Sequence, residues 1–275
     1  MNPSEAISPT AHYTGYVWAH NNLSHSALVT REGRVLFESF RPIQIAAGLA
    51  GAPSLETYLL ARHHAIDTRV HAAIDEHGVT QVIEVACGLS PRGWRFSDRY
   101  GKAITYIEAD LPAMAQRKRA ALARMGSLGE HHRVVALDAL LDDGPLSLAA
   151  VAAELNADEG LAIITEGLLG YLPTDTVNRI WRRFAAVLSG FSNGRYISDL
   201  HIGGAQSVHV RWFRVLLSMF VRSRVSLHYG SSADATASLH AAGFRSAHIH
   251  DASELAPTIQ GAGSELVHII EASTR

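Results

Sequence analysis

Short apolar runs alternate with longer amphipathic stretches along most of this chain. The first run, Val82, Ile83 and Val85, is too brief for a helix and rich in β-branched residues. It reads as a buried parallel strand. Similar runs recur at 104–107, 133–137, 161–164 and 195–200. Helical patterns lie between them. Leu55, Leu59, Ile66, Val70 and Ile74 share a helical face, with Ser54 as N-cap and Gly78 beyond the end. Pro112 opens another helix, whose Arg117, Lys118 and Arg119 read as a solvated basic face. A further helix follows Gly144-Pro145. Val177, Ile180, Trp181, Phe184 and Val187 mark the next, which Gly190 ends. The last helix, 234–244, stops at Gly243, and 246–249 and 266–270 read as closing strands. Strand and helix taking turns in this way predict an α/β fold around a mostly parallel sheet.

Two stretches depart from that rhythm. Residues 1–50 are expected to form an N-terminal arm with short helices, with Tyr16 and Trp18 packing on the domain and Arg41-Pro42 ending one of them. Residues 201–228 interrupt the alternation. Their helix is apolar on most sides and mixes Trp212, Phe213, Met219 and Phe220 with Arg211, Arg214, Arg222 and Arg224. We read it as an inserted cap over the sheet edge, with a homodimer contact as its rival.

Composition narrows the function. The 275 residues are 47% hydrophobic and 18% charged, so a sizeable core is expected. A formal net charge of −2 gives no reason to expect a nucleic-acid partner. No apolar run reaches the ~18 residues of a membrane span. The N-terminus does not read as a signal peptide. Among the 16 His no metal-ligand spacing stands out, and no metal is expected. The single Cys, Cys87, excludes internal disulfides and fits a reducing, cytoplasmic compartment. A buried small hydrophobe is its expected role, with a thiolate as the alternative.

The candidate chemistry sits where strands end. Glu84 precedes a break at Gly88, a residue that tolerates positive φ and close ligand approach. A dinucleotide fingerprint would need Gly where Ala86 and Pro91 stand, and a phosphate-cradling P-loop would need Lys-Ser/Thr where Trp94-Arg95 follow. What remains is an acid-x-Ala-x-Gly turn. Glu108 and Asp110 close the second strand, where a carboxylate can accept both hydroxyl hydrogen bonds of a ribose. Asp138 ends the third strand, and Glu166-Gly167 the fourth. A carboxylate such as Glu166 at that edge needs a cationic or donor partner, which favours a ligand-facing role.

Five stretches carry a family resemblance: A-R-H-H-A-I-D (61–67), V-I-E-V-A-C-G-L-S-P-R-G-W-R (82–95), Y-I-E-A-D-L-P (106–112), V-V-A-L-D-A-L (134–140) and T-E-G-L-L-G-Y-L (165–172). In order and spacing the chain resembles the leucine carboxyl methyltransferase family, which includes tetracenomycin-type polyketide carboxyl methyltransferases. The resemblance implies a class I, Rossmann-like, doubly wound sheet, mostly parallel with an antiparallel C-terminal strand, plus a helical cap. It implies S-adenosyl-L-methionine as cofactor. Arg62 would pair with the cofactor's methionine carboxylate, Gly88 would lie under methionine and ribose, and Glu84 would belong to the same cofactor-binding set. Asp110 would hold the ribose hydroxyls, with Glu108 as rival. Asp138 and Ala139 would flank adenine, and Glu166 would face the methionine amine. The family usually has a second Gly where Ala86 stands, and Met where Gly170 stands.

The expected function is therefore methyl transfer to a small molecule, a carboxylate of a secondary metabolite such as a polyketide, with hydroxyl or amine acceptors as the alternative. A carboxylate arrives ionised, so positioning suffices and no catalytic base is assigned. Tyr171 and Arg214 are the positioning candidates. A nicotinamide oxidoreductase and a non-catalytic binding protein are the readings from other classes.

Overall fold

The computed structural model describes residues 9–49, 53–203, 227–259 and 266–275. Arg214 and the aromatic and arginine residues between 211 and 224 lie outside them. Helix α1 (Pro9–His20), a 3₁₀ turn (Ser26–Leu28) and α2 (Arg31–Leu49) precede the sheet. There follow α3 (Leu55–Asp75), β1 (Val79–Val85), α4 (Arg92–Tyr100), β2 (Thr105–Asp110), α5 (Pro112–Arg124), β3 (His132–Ala136) and α6 (Leu148–Ala152). Then come β4 (Gly160–Thr165), α7 (Thr174–Leu188), β5 (Asn193–Leu200), α8 (Ser232–Ala242), β6 (Ser246–Asp251), α9 (Ala252–Leu255) and β7 (His268–Ser273).

The seven strands stand in the order β3-β2-β1-β4-β5-β7-β6. Strands β1 to β5 are parallel, and β7 runs antiparallel between β5 and β6. The order reverses between β1 and β4, so a crevice opens beyond their carboxyl ends. The short apolar runs are explained by burial on both faces. Val82, Tyr106, Ile164 and Ile197 pack on one side with α1, α2 and α3. Ile83, Val85, Ile163 and Ile270 pack on the other with α7 and α8. Strand period two then puts Glu84 on the α3 side with Val82, and Glu108 beside it in the β1–β2 register.

Local chemistry set most boundaries. The Ser54 hydroxyl caps α3, accepting from the Thr57 N–H, and Gly243 closes α8 in the left-handed region. Two expectations fail. Pro42 does not end a helix but lies inside α2. It is exposed there, so water can serve the Glu38 carbonyl left without its N–H. Lys118 is not solvated: it is fully buried on α5, while Arg117 and Arg119 are exposed. Its ammonium pairs with Glu108 and donates to the Ser90 carbonyl at 2.7 Å. No helix among the described residues is long and apolar enough to cross a membrane.

Candidate active site

The turn after β1 is bent by two left-handed residues, Ala86 at φ 55° and Gly88 at φ 51°. Gly88 is half-buried, and nothing stands within 4 Å of where its Cβ would be. Asp110, ending β2, accepts from the Gly88 N–H and the Leu111 N–H, both at 2.7 Å. Burial raises its carboxyl above the usual range, while the two N–H bonds act the other way. Open space before a bare backbone, next to a carboxylate with lone pairs to spare, fits a nucleoside with vicinal hydroxyls. Asp138 accepts from the Leu140 N–H at 2.9 Å, and the Ala139 carbonyl accepts from Arg183. Burial drives the Cys87 thiol well above its ordinary value, so it is no thiolate.

A charged cluster fills the α3 side of the same edge. Arg92, fully buried at the start of α4, donates to Asp67 at 2.6 Å, to Glu84 at 2.7 Å and to Glu166 at 2.7 Å. The other Glu84 oxygen accepts from the Tyr106 hydroxyl at 2.8 Å. Glu84 is thus held beneath the turn by the protein's own donors. Arg62 donates from Nε to Glu166 at 3.0 Å, and its Nη1 lies 3.5 Å from Asp199. His63 Nδ1 lies 2.9 Å from Glu166. Burial alone would raise Glu166, yet His63, Arg92 and Arg62 hold it well below the carboxylate range. An adjacent cation and carboxylate complement an α-amino acid zwitterion such as the methionine end of the expected cofactor.

Glu108 lies apart from this cluster. It is fully buried, with His132 Nε2 at 2.7 Å and Lys118 on its other oxygen. It shares a face with Asp110, two residues away, but sits deeper, under Gly93. A Cβ on Gly93 would stand 2.4 Å from the Glu108 carboxyl carbon.

A cavity of about 40 Å³ adjoins Arg62. Its walls include Tyr13 of α1, Leu55 and Tyr58 of α3, Gly167 and Tyr171 after β4, and His201 after β5. The Tyr58 hydroxyl hydrogen-bonds His201 Nε2, and the Arg62 guanidinium lies 5.6 Å from the Tyr58 ring centre. Burial raises the Tyr58 hydroxyl and lowers His201 to about 4, with Asp199 opposing the latter shift. The Gly167 N–H donates to Asp199 at 2.7 Å, and its φ of 68° turns the chain past Arg62. His228 Nε2 donates to the Leu169 carbonyl at 2.9 Å, steadying the turn that carries Tyr171.

The structure therefore brings Arg62 and Tyr171 to the cavity, pairs Glu166 with Arg62, and joins Gly88 to Asp110 where β1 and β2 end. Glu84 underlies them, and Asp138 with Ala139 follow the end of β3. Sequence reasoning missed Arg92, His63, Asp199, Tyr58 and His201. Asp199 carried a usable signal, an acid at a strand's C-terminal end, as at Asp110. Asp67 and His63 carried an i, i+4 spacing on α3.

The sequence profile described as "Leucine carboxyl methyltransferase" matches residues 26–185, more than half of the chain. A Mycobacterium tuberculosis protein assigned as an S-adenosyl-L-methionine-dependent methyltransferase is 34% identical over 131 residues, covering 47% of this chain and 40% of that protein. A similarly assigned protein of Mycolicibacterium gilvum is 38% identical over 104 residues, 38% of this chain and 32% of that one. The match thus spans well under half the length of these curated relatives. Among solved structures, one assigned as a methyltransferase from Thermobifida fusca superposes with a TM-score of 0.69 at 13% identity, over 98% of this chain and 97% of that one. Human N-acetylserotonin methyltransferase, solved with S-adenosylmethionine, superposes with a TM-score of 0.52 at 11% identity, over 79% and 52%. These two likenesses establish the methyltransferase fold. With the profile match, the chain belongs to the leucine carboxyl methyltransferase family of S-adenosyl-L-methionine-dependent methyltransferases.

Proposed function

We propose that this chain moves the methyl group of S-adenosyl-L-methionine to an oxygen of a small organic acceptor. One observation carries the reading: the open Gly88–Asp110 edge and the Arg62–Glu166–Asp199 cluster share one mouth of the sheet, with the Tyr171 cavity adjoining. When bound, the cofactor supplies an electrophilic methyl on a sulfonium. Asp110 accepts from the ribose hydroxyls, and Gly88 admits the ligand to the backbone. Asp138 and Ala139 border the adenine. Arg62 takes the methionine carboxylate, and Glu166 with Asp199 takes the ammonium. Glu84 acts from beneath, through Arg92.

A carboxylate of a secondary metabolite is the acceptor class that the family resemblance brings, and it would need only orientation. The cap expected over 201–228 falls mostly outside the described residues; His201, at its start, lines the cavity. A dinucleotide reading lacks the first and third glycines of the fingerprint, where Ala86 and Pro91 stand.

Calorimetry tests the cofactor. S-adenosylhomocysteine should bind and nicotinamide dinucleotides should not. Arg62→Ala should weaken the former by about 1.5–3 kcal/mol, the worth of a charge-assisted hydrogen bond. Arg62→Lys should not restore it, because a point charge cannot reproduce the planar fork. Dinucleotide binding without heat from S-adenosylhomocysteine would overturn the proposal.

A further inference from the structure

We propose that Thr14 of α1 is the specificity-determining residue of the acceptor cavity: its hydroxyl hydrogen-bonds an oxygen of the acceptor, which is otherwise a flat, largely apolar molecule. This deepens the methyl-transfer reading and rests on it.

Position is the first argument. Thr10, Tyr13 and Thr14 stand at i, i+3 and i+4 on α1, and all three line the cavity beside Arg62. Two contacts fix α1 in place. The Tyr13 hydroxyl accepts from Gln44 of α2 at 2.5 Å. Gly15 lies against Leu89, where an added Cβ would stand 3.4 Å from the Leu89 Cβ. Leu89 follows Gly88, so α1 rests on the turn given to the cofactor and reaches the cavity with the residue before Gly15. Arg62, Gly88, Asp110, Asp138 and Glu166 all lie within the residues that the family profile matches, 26–185, and Thr14 lies before them. That place suits a residue that selects the acceptor rather than the cofactor.

Availability is the second. Other polar groups of the wall are engaged. The Tyr58 hydroxyl is held by His201 and Arg62. The Tyr13 hydroxyl is held by Gln44, and Arg62 by Glu166 and Asp199. Thr14 is 4% exposed, yet among the described residues its hydroxyl has no hydrogen-bond partner. Its oxygen is not among the sealed, unpartnered ones, so the surface it keeps lies at the cavity. A polar group buried this far calls for a partner. Water can serve while the cavity is free, and an acceptor that displaces the water has to replace the bond. A threonine hydroxyl both donates and accepts, so an oxygen of the acceptor meets the need.

Shape is the third. Leu55, Leu59, Tyr13 and Tyr171 give the cavity aromatic and apolar walls that suit a flat ring. Its ~40 Å³ admits the oxygen-bearing end of such a molecule. Tyr171 is 37% exposed and is the part of the wall that meets solvent, where the rest of the ring can lie.

The test uses the full chain loaded with S-adenosylhomocysteine and two probes of matched shape, phenol and toluene, with binding followed by calorimetry. The ratio of the toluene Kd to the phenol Kd cancels the burial that both share. We expect Thr14→Val, which keeps the shape and removes the hydroxyl, to lower that ratio about fivefold or more, the worth of one neutral hydrogen bond. Thr14→Ser, which keeps the hydroxyl, should hold the ratio near the wild-type value. S-adenosylhomocysteine affinity should be the same in all three proteins. Should Thr14→Val not fold, Thr14→Ala supplies the same comparison with Thr14→Ser. An unchanged ratio in Thr14→Val, a ratio lost equally in Thr14→Ser, or no binding of phenol overturns the proposal. Weakened S-adenosylhomocysteine in Thr14→Val alone also overturns it, because Thr14 would then serve the cofactor. Failure of S-adenosylhomocysteine to bind the wild-type chain overturns the methyl-transfer reading beneath it, and this inference with it.

Discussion

Ala86 holds a φ of 55°, where a Cβ crowds the following carbonyl at a cost of about 1–2 kcal/mol. Two positions on, Gly88 takes φ 51° without that cost. The turn therefore stores strain at the place where the family usually has glycine. Ala86→Gly should relieve it, less the roughly 0.5–1 kcal/mol that glycine loses by freeing the unfolded chain. We expect a small net gain, up to about 1 kcal/mol, read as a raised denaturation midpoint. Gly88→Ala should do the reverse and also place a methyl in the open space before the backbone, weakening S-adenosylhomocysteine more than it lowers stability. A midpoint that falls in Ala86→Gly would show that the neighbouring hydrogen bonds, not the backbone, decide the turn's energy.

Strand β2 carries two acids on one face, and depth separates their work. Glu108 pairs with Lys118 of α5 and His132 of β3, all three buried, and so ties three elements together. Glu108→Gln leaves a buried ammonium without its counter-charge, a loss of about 3–5 kcal/mol. Asp110 reaches the mouth, so Asp110→Asn should instead weaken S-adenosylhomocysteine by about tenfold to a hundredfold, the equivalent of one charge-assisted bond. Urea melts and calorimetry on both variants separate the effects, and equal affinity losses would sink the distinction. The same pair shows how far the chain could be read. Strand runs, helix caps and the acids closing β2 and β4 were legible, because burial on two faces and chain ends leave local marks. The Lys118 contact was not. On α5 its position, aligned with Ala115 and Leu122, was the available clue, and a charge masked it. Pro42 misled for the opposite reason, since a helix exposed to water tolerates a missing N–H. The hub on Arg92 joins α3, β1 and the turn after β4, contacts far apart in sequence that no local pattern records.

Across the whole molecule, protonation should couple to stability with one dominant sign. Burial lowers His12, His64, His71, His201, His228 and His268 below the ordinary imidazole value, His201 to about 4. Between those values and about 6.5 the unfolded chain binds more protons than the folded one, so stability rises with pH through that window. The carboxylates extend the trend downward. Burial alone would raise Asp67, but His63, Arg92 and Arg95 hold it at about 2, and Glu166 and Glu108 are also lowered. Their stabilisation is present above the unfolded carboxyl range, about 4, and is lost as pH falls toward their folded values. Asp110 opposes, because its folded value is raised, but it stands against many groups. We therefore expect the urea midpoint to climb from about pH 4.5 to about 6.5 and then level off. His201→Gln should reduce the climb, since it removes the most displaced of these imidazoles. A midpoint that is flat across that interval would show that the buried histidines gain protons without unfolding the site. His201 would then be cationic at mildly acid pH, with Asp199 as the group whose charge favours it.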